Sequence, residues 1–227
     1  VTAMSTTQNS SYLPVRQDWL DRVAEPALDP ALPIIDPHHH LWDRPGWRSL
    51  LPELLADLAT GHNIQATVFV QARAFHRANG PDELKPLGET EFVNGVAAMS
   101  ASGIYGPSRV CAGIVGHVDL RLGARAAEVL QAHMRAAGPR FRGIRHIAAW
   151  DADRLLLNPG NPAPPGLLLD AKFREGFACL APLGLSFDAW LYQRQIDELT
   201  DLARAFPNTG IVLNHFGGPL GVGAYQG

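Results

Sequence analysis

The chain has 227 residues, 46% of them hydrophobic and 18% charged, which is enough material for one sizeable core or at most two small domains. Its formal net charge of -3, without any basic run, argues against a nucleic-acid partner, and no apolar stretch is long enough to span a membrane. Two cysteines, Cys111 and Cys179, are too few for a disulfide framework, and residues 1–11 lack the layout of a signal peptide, so we expect a cytoplasmic protein.

Short apolar runs alternate with longer helical patterns from Ile34 onward. The predicted strands are Ile34–His38, Ala66–Gln71, Val110–His117, Phe141–Arg145, Leu185–Ala189 and Gly210–His215. The predicted helices are Pro52–Thr60, Glu91–Ser102, Ala124–Ala137, Asp170–Leu180 and Gln193–Phe206. Apolar strands separated by helices indicate a parallel sheet covered by helices, which is an α/β fold. Residues 1–33 are expected to form an N-terminal extension before a domain of residues 34–227.

Loop lengths predict the edge of the sheet at which a site would lie. The links from helix to strand are short, whereas three links from strand to helix are long: Leu41–Leu51, Ala72–Thr90 and Ala148–Leu169. Barrel enzymes and open α/β sheets both build their sites from loops at the carboxyl ends of the strands. We therefore expect the functional residues at that edge.

The first predicted strand ends in three consecutive histidines, followed by Leu41 and Trp42. Alternate residues of a strand share a face and lie roughly 6.6 Å apart, so His38 and His40 can enter one cavity while His39 faces away. Two neutral imidazoles are a start on a divalent-metal site, and zinc is usually held by three or four such ligands. The spacing alone is also compatible with solvated loop histidines.

Strand alternation predicts which polar side chains face the same cavity. The apolar residues expected to face the helices are Val68, Val70, Ile144, Leu185, Phe187 and Ala189. This arrangement turns Gln71, Arg145 and Asp188 toward the opposite, inner face. A guanidinium suits bidentate pairing with a carboxylate, although a structural salt bridge is the alternative for Arg145. A structural hydrogen bond is the alternative for Asp188, because buried carboxylates need partners everywhere.

Four segments in the same order resemble the lactonase-like branch of the amidohydrolase superfamily. Asp36-Pro37-His38-His39-His40-Leu41-Trp42 is similar to its D-x-H-x-H-x-W signature, and the later matches are 141–146 (FRGIRH), 185–188 (LSFD) and 212–219 (VLNHFGGP). The resemblance implies a (β/α)8 TIM-type barrel that hydrolyses lactones or related cyclic esters and amides. A neighbouring branch decarboxylates small aromatic acids.

The resemblance also implies roles for individual residues. His38, His40 and His215 would hold a divalent metal, expected to be zinc, which would polarise a carbonyl or acidify a bound water. Some members of the branch work without metal, and there the same histidines would donate hydrogen bonds to the carbonyl oxygen. Arg145 matches the arginine that holds a substrate carboxylate, and Arg142 and His146 are weaker candidates for that task.

The chain departs from the family in its number of β/α units. A full barrel needs about 250 residues and eight strands, whereas only six β/α units are predicted here. Strands seven and eight would be missing, together with the aspartate that the superfamily places at the end of strand eight. We therefore expect the N-terminal two-thirds of a hydrolase, with two unpaired strand edges that would favour a homo-oligomer.

The function expected from these observations is the hydrolysis of a lactone or cyclic ester of a small carboxylated compound by activated water. The first alternative is a metal-dependent decarboxylase of small aromatic acids. The second is a truncated, non-catalytic barrel fragment that binds a metal or a partner. In the enzymatic cases the partner is a small-molecule substrate.

Overall fold

The computed structural model describes residues 16–23, 25–157 and 162–226. Its strands are β1 (Pro33–His39), β2 (Trp42–Arg44), β3 (Trp47–Ser49), β4 (Asn63–Val70), β5 (Arg109–Gly116), β6 (Phe141–Ile147), β7 (Ser186–Trp190) and β8 (Ile211–Leu213). Its α-helices are α1 (Gln17–Leu20), α2 (Leu51–Leu58), α3 (Leu87–Ala101), α4 (Ala126–Ala137), α5 (Ala171–Phe177) and α6 (Ile196–Ala205). Of the predicted N-terminal extension, residues 1–15 and 24 lie outside the described residues, and the remainder holds only α1 before β1 begins.

Six strands pair in parallel in the order β1-β4-β5-β6-β7-β8 and form a curled half-barrel. The predicted α/β class and the six predicted strands are therefore confirmed. The order follows the chain because each parallel pair needs a crossover, and the segments α2 to α6 supply these crossovers. No helix among the described residues is long and apolar enough to cross a membrane.

The core lies between the sheet and its helices. Phe187 of β7 is fully buried there against Phe173 and Phe177 of α5, with ring centroids 6.0 and 5.2 Å apart. Leu185 and Ala189 are buried in the same core, which confirms the alternation predicted for β7. Ile144 of β6 also lies there, as predicted. These contacts turn the alternate residues of both strands toward the inner face of the sheet.

The alternation predicted for β4 was wrong. Phe69 is fully buried in the core, whereas the methyl groups of Val68 lie 3.4 Å from where a Cβ of Gly113 would stand. The strand carries apolar residues on both faces, so its sequence has no clear phase. Register shifts in its pairing with β5 disturb the alternation further, and a slip of one residue exchanges the faces.

The three long loops follow strands at the carboxyl edge of the sheet. The first, which was predicted without structure, contains the antiparallel hairpin β2–β3. The third includes residues 158–161, which lie outside the described part of the chain. The last predicted strand ends at Leu213 and not at His215, because the backbone turns over Asn214–Gly217. His215 and Phe216 adopt φ values of 51° and 53° there, which ends the extended conformation.

Two helical glycines test the packing of the helices. A Cβ on Gly176 of α5 would lie 2.1 Å from the carbonyl oxygen of Leu120, whereas one on Gly95 of α3 would meet nothing within 4 Å. We expect Gly176→Ala to lower the free energy of unfolding by about 1–3 kcal/mol, because the backbones must separate. Gly95→Ala should raise it by about 0.5–1 kcal/mol, because alanine restricts the unfolded chain. Urea unfolding of both variants and of the unchanged chain measures these free energies. Equal free energies of unfolding in the two variants would contradict the close packing at Gly176.

Candidate active site at the carboxyl edge of the sheet

The end of β1 places two imidazoles side by side. The Nε2 atoms of His38 and His40 lie 3.3 Å apart. His39 faces the opposite side, where its Nε2 lies 2.8 Å from the hydroxyl oxygen of Thr67 in the buried interior. The alternation predicted for the three histidines is therefore present in the structure.

A hydrogen bond fixes the tautomer of His40. Its Nδ1 donates to the carbonyl oxygen of Val70 over 2.7 Å, so the Nε2 of the neutral ring carries a lone pair. Burial and the Arg145 guanidinium lower the pKa of His40 to about 4. Burial, followed by His40 and Arg145, lowers the pKa of His38 to about 3. Both rings are therefore neutral at pH 7, and His40 has no N–H left to donate to a substrate.

His215, which follows the last strand of the sheet, lies next to the histidines of the first strand. It follows β8 in the turn described above, and its ring centroid lies 4.9 Å from that of His38. Burial and Arg145 lower the pKa of His215 as well. Trp190, at the end of β7, lies 6.2 Å from the His215 ring between centroids. The curl of the sheet thus assembles one group of histidines from β1 and from the turn after β8.

Arg145 enters this group from β6. Its side chain is only 5% exposed, its Nη1 lies 3.4 Å from the Nε2 of His38, and its Nη2 donates to the carbonyl oxygen of Gln71. Asp188 is the register partner of Arg145 on β7 and accepts a hydrogen bond of 3.0 Å from the Nδ2 of Asn214. Burial raises the pKa of Asp188, while Asn214 and Arg145 oppose that rise.

The other predicted substrate-binding residues lie in different places. Gln71 is 1% exposed and contacts Arg145 through its backbone, while both atoms of its side-chain amide lack a hydrogen-bond partner within the described chain. Arg142 is exposed at the start of β6, roughly 10 Å along the strand from Arg145. His146 packs against Phe173, and its Nδ1 accepts from the backbone N–H of Leu120.

The predictions for Arg142 and His146 therefore need correction, because neither joins the histidine group. His146 follows Arg145 directly, so strand alternation turns it to the helix side when Arg145 faces inward. Arg142 lies near the amino end of its strand, away from the edge where the histidines meet.

Sequence reasoning missed two features beside the histidines. The hairpin β2–β3 stacks Trp42 on His40, with ring centroids 5.8 Å apart, and packs Trp47 against Trp42 at 4.5 Å. Glu89 of α3 is buried behind the end of β4, and burial raises its pKa to about 7. The tryptophan was visible in the sequence motif, whereas Glu89 was assigned to the loop Ala72–Thr90 and nothing indicated that it would be buried on α3.

A polar cavity of about 470 Å³ opens beside this group, at the carboxyl ends of β4 and β5. Basic and acidic side chains both line it, among them Arg73, Lys85, Arg121 and Asp119. His117 joins it to the site, because its Nδ1 donates to the carbonyl oxygen of Arg145 over 3.0 Å.

The metal-ligand set is incomplete. Among the described residues no group of three or more His, Cys, Asp or Glu side chains is placed to hold a metal ion. The lone pair on His40 Nε2 and the adjacent Nε2 of His38 would suit two positions of a zinc site, which uses at least three protein ligands. The residues therefore fit a metal in part, and the predicted set of His38, His40 and His215 does not close around one position in this structure.

Residues 35–226 match the family described as Amidohydrolase, and the chain belongs to this family. It is 34% identical over 208 residues to the uncharacterized protein y4mH of Sinorhizobium fredii. This alignment covers 81% of this chain and 62% of the relative. It is 28% identical over 200 residues to the L-fucono-1,5-lactonase of Burkholderia multivorans, with 82% of this chain and 56% of the relative covered.

A solved structure shows the same fold. The crystal structure of an amidohydrolase from Burkholderia multivorans with bound zinc is 28% identical and superimposes with a TM-score of 0.56, covering 81% of this chain and 58% of that one. The amidohydrolase 2 from Bifidobacterium longum subsp. infantis, at 18% identity and a TM-score of 0.52, shares the fold. The chain spans about three fifths of the length of these relatives.

The tautomer of His40 can be measured directly. We expect ¹⁵N shifts at pH 7 to show a protonated Nδ1 and an unprotonated Nε2, because the Val70 carbonyl can only accept. Long-range ¹H–¹⁵N correlation spectra of the chain labelled at histidine provide the measurement. Replacing His40 with Gln should remove the assigned signals, and a His40 ring protonated at Nε2 would contradict the geometry.

Proposed function

We propose that this chain carries the active site of a hydrolase that opens a lactone or related cyclic ester of a small carboxylated compound. The observation that carries the proposal is the convergence of two neutral imidazole nitrogens, 3.3 Å apart, with the buried guanidinium of Arg145. A sequence relative supports the class, because the L-fucono-1,5-lactonase of Burkholderia multivorans is 28% identical to this chain.

Arg145 is the group that binds the anionic part of the substrate. A guanidinium is always charged and offers several donors in a fixed plane, which suits a carboxylate. The Gln71 carbonyl accepts from Nη2 and holds that plane, while Nη1 points toward His38. A substrate carboxylate bound here places the neighbouring ring carbonyl against the histidines.

Ring opening then needs two proton transfers, one from water to a base and one from that base to the leaving oxygen. The oxygen of a water molecule bonds to the lactone carbonyl carbon while its proton passes to the neutral imidazole of His215. The ring C–O bond breaks next, and the imidazolium returns the proton to the leaving alkoxide. The product is the open hydroxy acid. The lowered pKa of His215 keeps its ring unprotonated, as a base must be, at neutral pH.

A divalent metal belongs to the proposal, because a solved relative contains zinc. The Nε2 atoms of His38 and His40 would hold it, and when bound it would polarise the substrate carbonyl and lower the pKa of a coordinated water. In the absence of metal, His40 cannot donate to the carbonyl oxygen, because its one N–H is bound to the carbonyl oxygen of Val70.

Replacing Arg145 tests the proposal. We expect Arg145→Gln to lower kcat/KM for a carboxylated lactone by about 10- to 100-fold, because a charge-assisted hydrogen bond contributes about 1.5–3 kcal/mol. Release of acid, followed with a pH indicator, is the measurement. Arg142→Gln is the matched control, since that arginine lies exposed on the same strand and should leave kcat/KM within twofold.

Two outcomes would count against the proposal. Equal losses in the two variants would show that Arg145 has no special role in binding substrate. Release of carbon dioxide from aromatic acids, without ring opening of lactones, would favour the decarboxylase instead.

A further inference from the structure

Three consecutive carbonyl groups at the end of β4 each accept a hydrogen bond from a residue of the site or of its hairpin. Val70 accepts from Nδ1 of His40 over 2.7 Å, Gln71 accepts from Nη2 of Arg145, and Ala72 accepts from Nη2 of Arg44 over 3.1 Å. We call Val70, Gln71 and Ala72 the carbonyl row. The direction of the imidazole, of the guanidinium and of the hairpin therefore depends on one short piece of backbone.

That backbone leaves the sheet in an unfavourable conformation. Arg73 and Phe75 follow the carbonyl row with φ values of 59° and 54°, a region that residues with a side chain rarely adopt. Such residues persist only where the surrounding structure enforces them. The enforcing contacts come from the first two turns of α3.

Glu89 supplies the first of these contacts. Its Oε1 accepts hydrogen bonds from the backbone N–H groups of Ala72 and Ala74, each over 2.9 Å. The side chain is only 1% exposed, and its Oε2 has no hydrogen-bond partner among the described residues. Burying a carboxyl group in this way is costly, and perturbed acids of this kind are concentrated at functional sites.

Gly88 and Phe92 supply the second. A Cβ on Gly88 would lie 2.4 Å from the carbonyl oxygen of Phe75 and 2.9 Å from the backbone nitrogen of Arg77, so the helix and the loop are in direct backbone contact. The Phe75 ring stacks on that of Phe92 with centroids 4.0 Å apart. The loop is thus held by α3 from Ala72 to Arg77.

We propose that Glu89 is a positioning residue for the reaction: its Oε1 fixes the loop after β4 so that the carbonyl row holds His40 and Arg145 in register with each other. The proposal rests on the proposed function for the reaction itself. The placement of His40 and Arg145 by Glu89 can be measured without it.

The first test compares two substitutions of Glu89. Glu89→Gln keeps a carbonyl oxygen that can accept from both amides, whereas Glu89→Leu removes the acceptor at similar size. We expect Glu89→Leu to lower kcat/KM on a carboxylated lactone by about 10- to 100-fold, since a small misplacement of catalytic groups has effects of this size. Glu89→Gln should stay within about threefold of the unchanged chain.

A double variant separates positioning from a general loss of stability. If Glu89 acts through Arg145 and His40, the loss in Glu89→Leu combined with Arg145→Gln should be clearly smaller than the product of the two single losses. Multiplied losses would overturn the proposal, and so would Glu89→Gln being as impaired as Glu89→Leu.

Gly88→Ala displaces the same loop while Glu89 is unchanged, so it covers the case in which Glu89→Leu fails to fold. We expect it to lower kcat/KM about as much as Glu89→Leu does, whereas Gly95→Ala, on the same helix with open space around it, should leave kcat/KM unchanged. Full activity in Gly88→Ala would overturn the proposal.

Amide hydrogen exchange provides the measurement that needs no substrate. In Glu89→Leu the amides of Ala72 and Ala74 should exchange at least tenfold faster than in Glu89→Gln. The ¹⁵N spectrum of Glu89→Leu should also lose the pattern of a His40 ring protonated only at Nδ1. Unchanged exchange would overturn the proposal. A chain that opens no lactone but shows both changes would contradict the proposed function alone.

Discussion

Arg145 carries a permanent positive charge in a position that is almost closed to water. The hydrogen bonds and the protonation states of the neighbouring site residues depend on this buried charge. An unpaired charge in such a place is very costly, so the guanidinium needs acceptors near it. The carbonyl oxygen of Gln71 is one, and the carboxyl group of Asp188 lies opposite in the register of β6 and β7. The same charge opposes protonation of His38, His40 and His215, which leaves their nitrogens available as bases or ligands.

The fold explains how residues far apart in sequence reach this charge. Each parallel pairing twists the sheet, so the pairings from β1 to β8 bring the carboxyl ends of the first and last strands together. β6 lies near the middle of this arc and sends Arg145 across its inner face. The site is therefore a property of the curled sheet and not of any one loop.

Much of this arrangement was predictable from the sequence. Buried parallel strands appear as apolar runs, and the alternation of polar residues along β1, β6 and β7 placed His38, His40, Arg145 and Asp188 on one face. The same reasoning failed for β4, where both faces are apolar and the register shifts. Arg142 and His146 were weaker candidates from the segment 141–146 of the family resemblance, and their positions along β6 separate them from the face of Arg145.

The support behind the site was not predictable. Glu89 lies on a helix in which an acid usually faces water, and nothing in its spacing indicates that two amides of a distant loop bind it. The turn at His215 depends on positive φ angles at His215 and Phe216, which residues with a side chain adopt only when tertiary contacts require them. Information of that kind resides in packing and not in local propensity.

The distance between the rings of His38 and His215 depends on the curvature of the whole sheet. Five successive pairings separate β1, which carries His38, from β8, which precedes His215. Small changes of twist at each pairing therefore add together in the 4.9 Å distance between the two rings. A substitution in any intervening strand that flattens the arc would widen this gap even if it touched neither ring. The side chains on the inner faces of β4 and β5 therefore affect the distance between the two rings through their volume, although none of them contacts either ring.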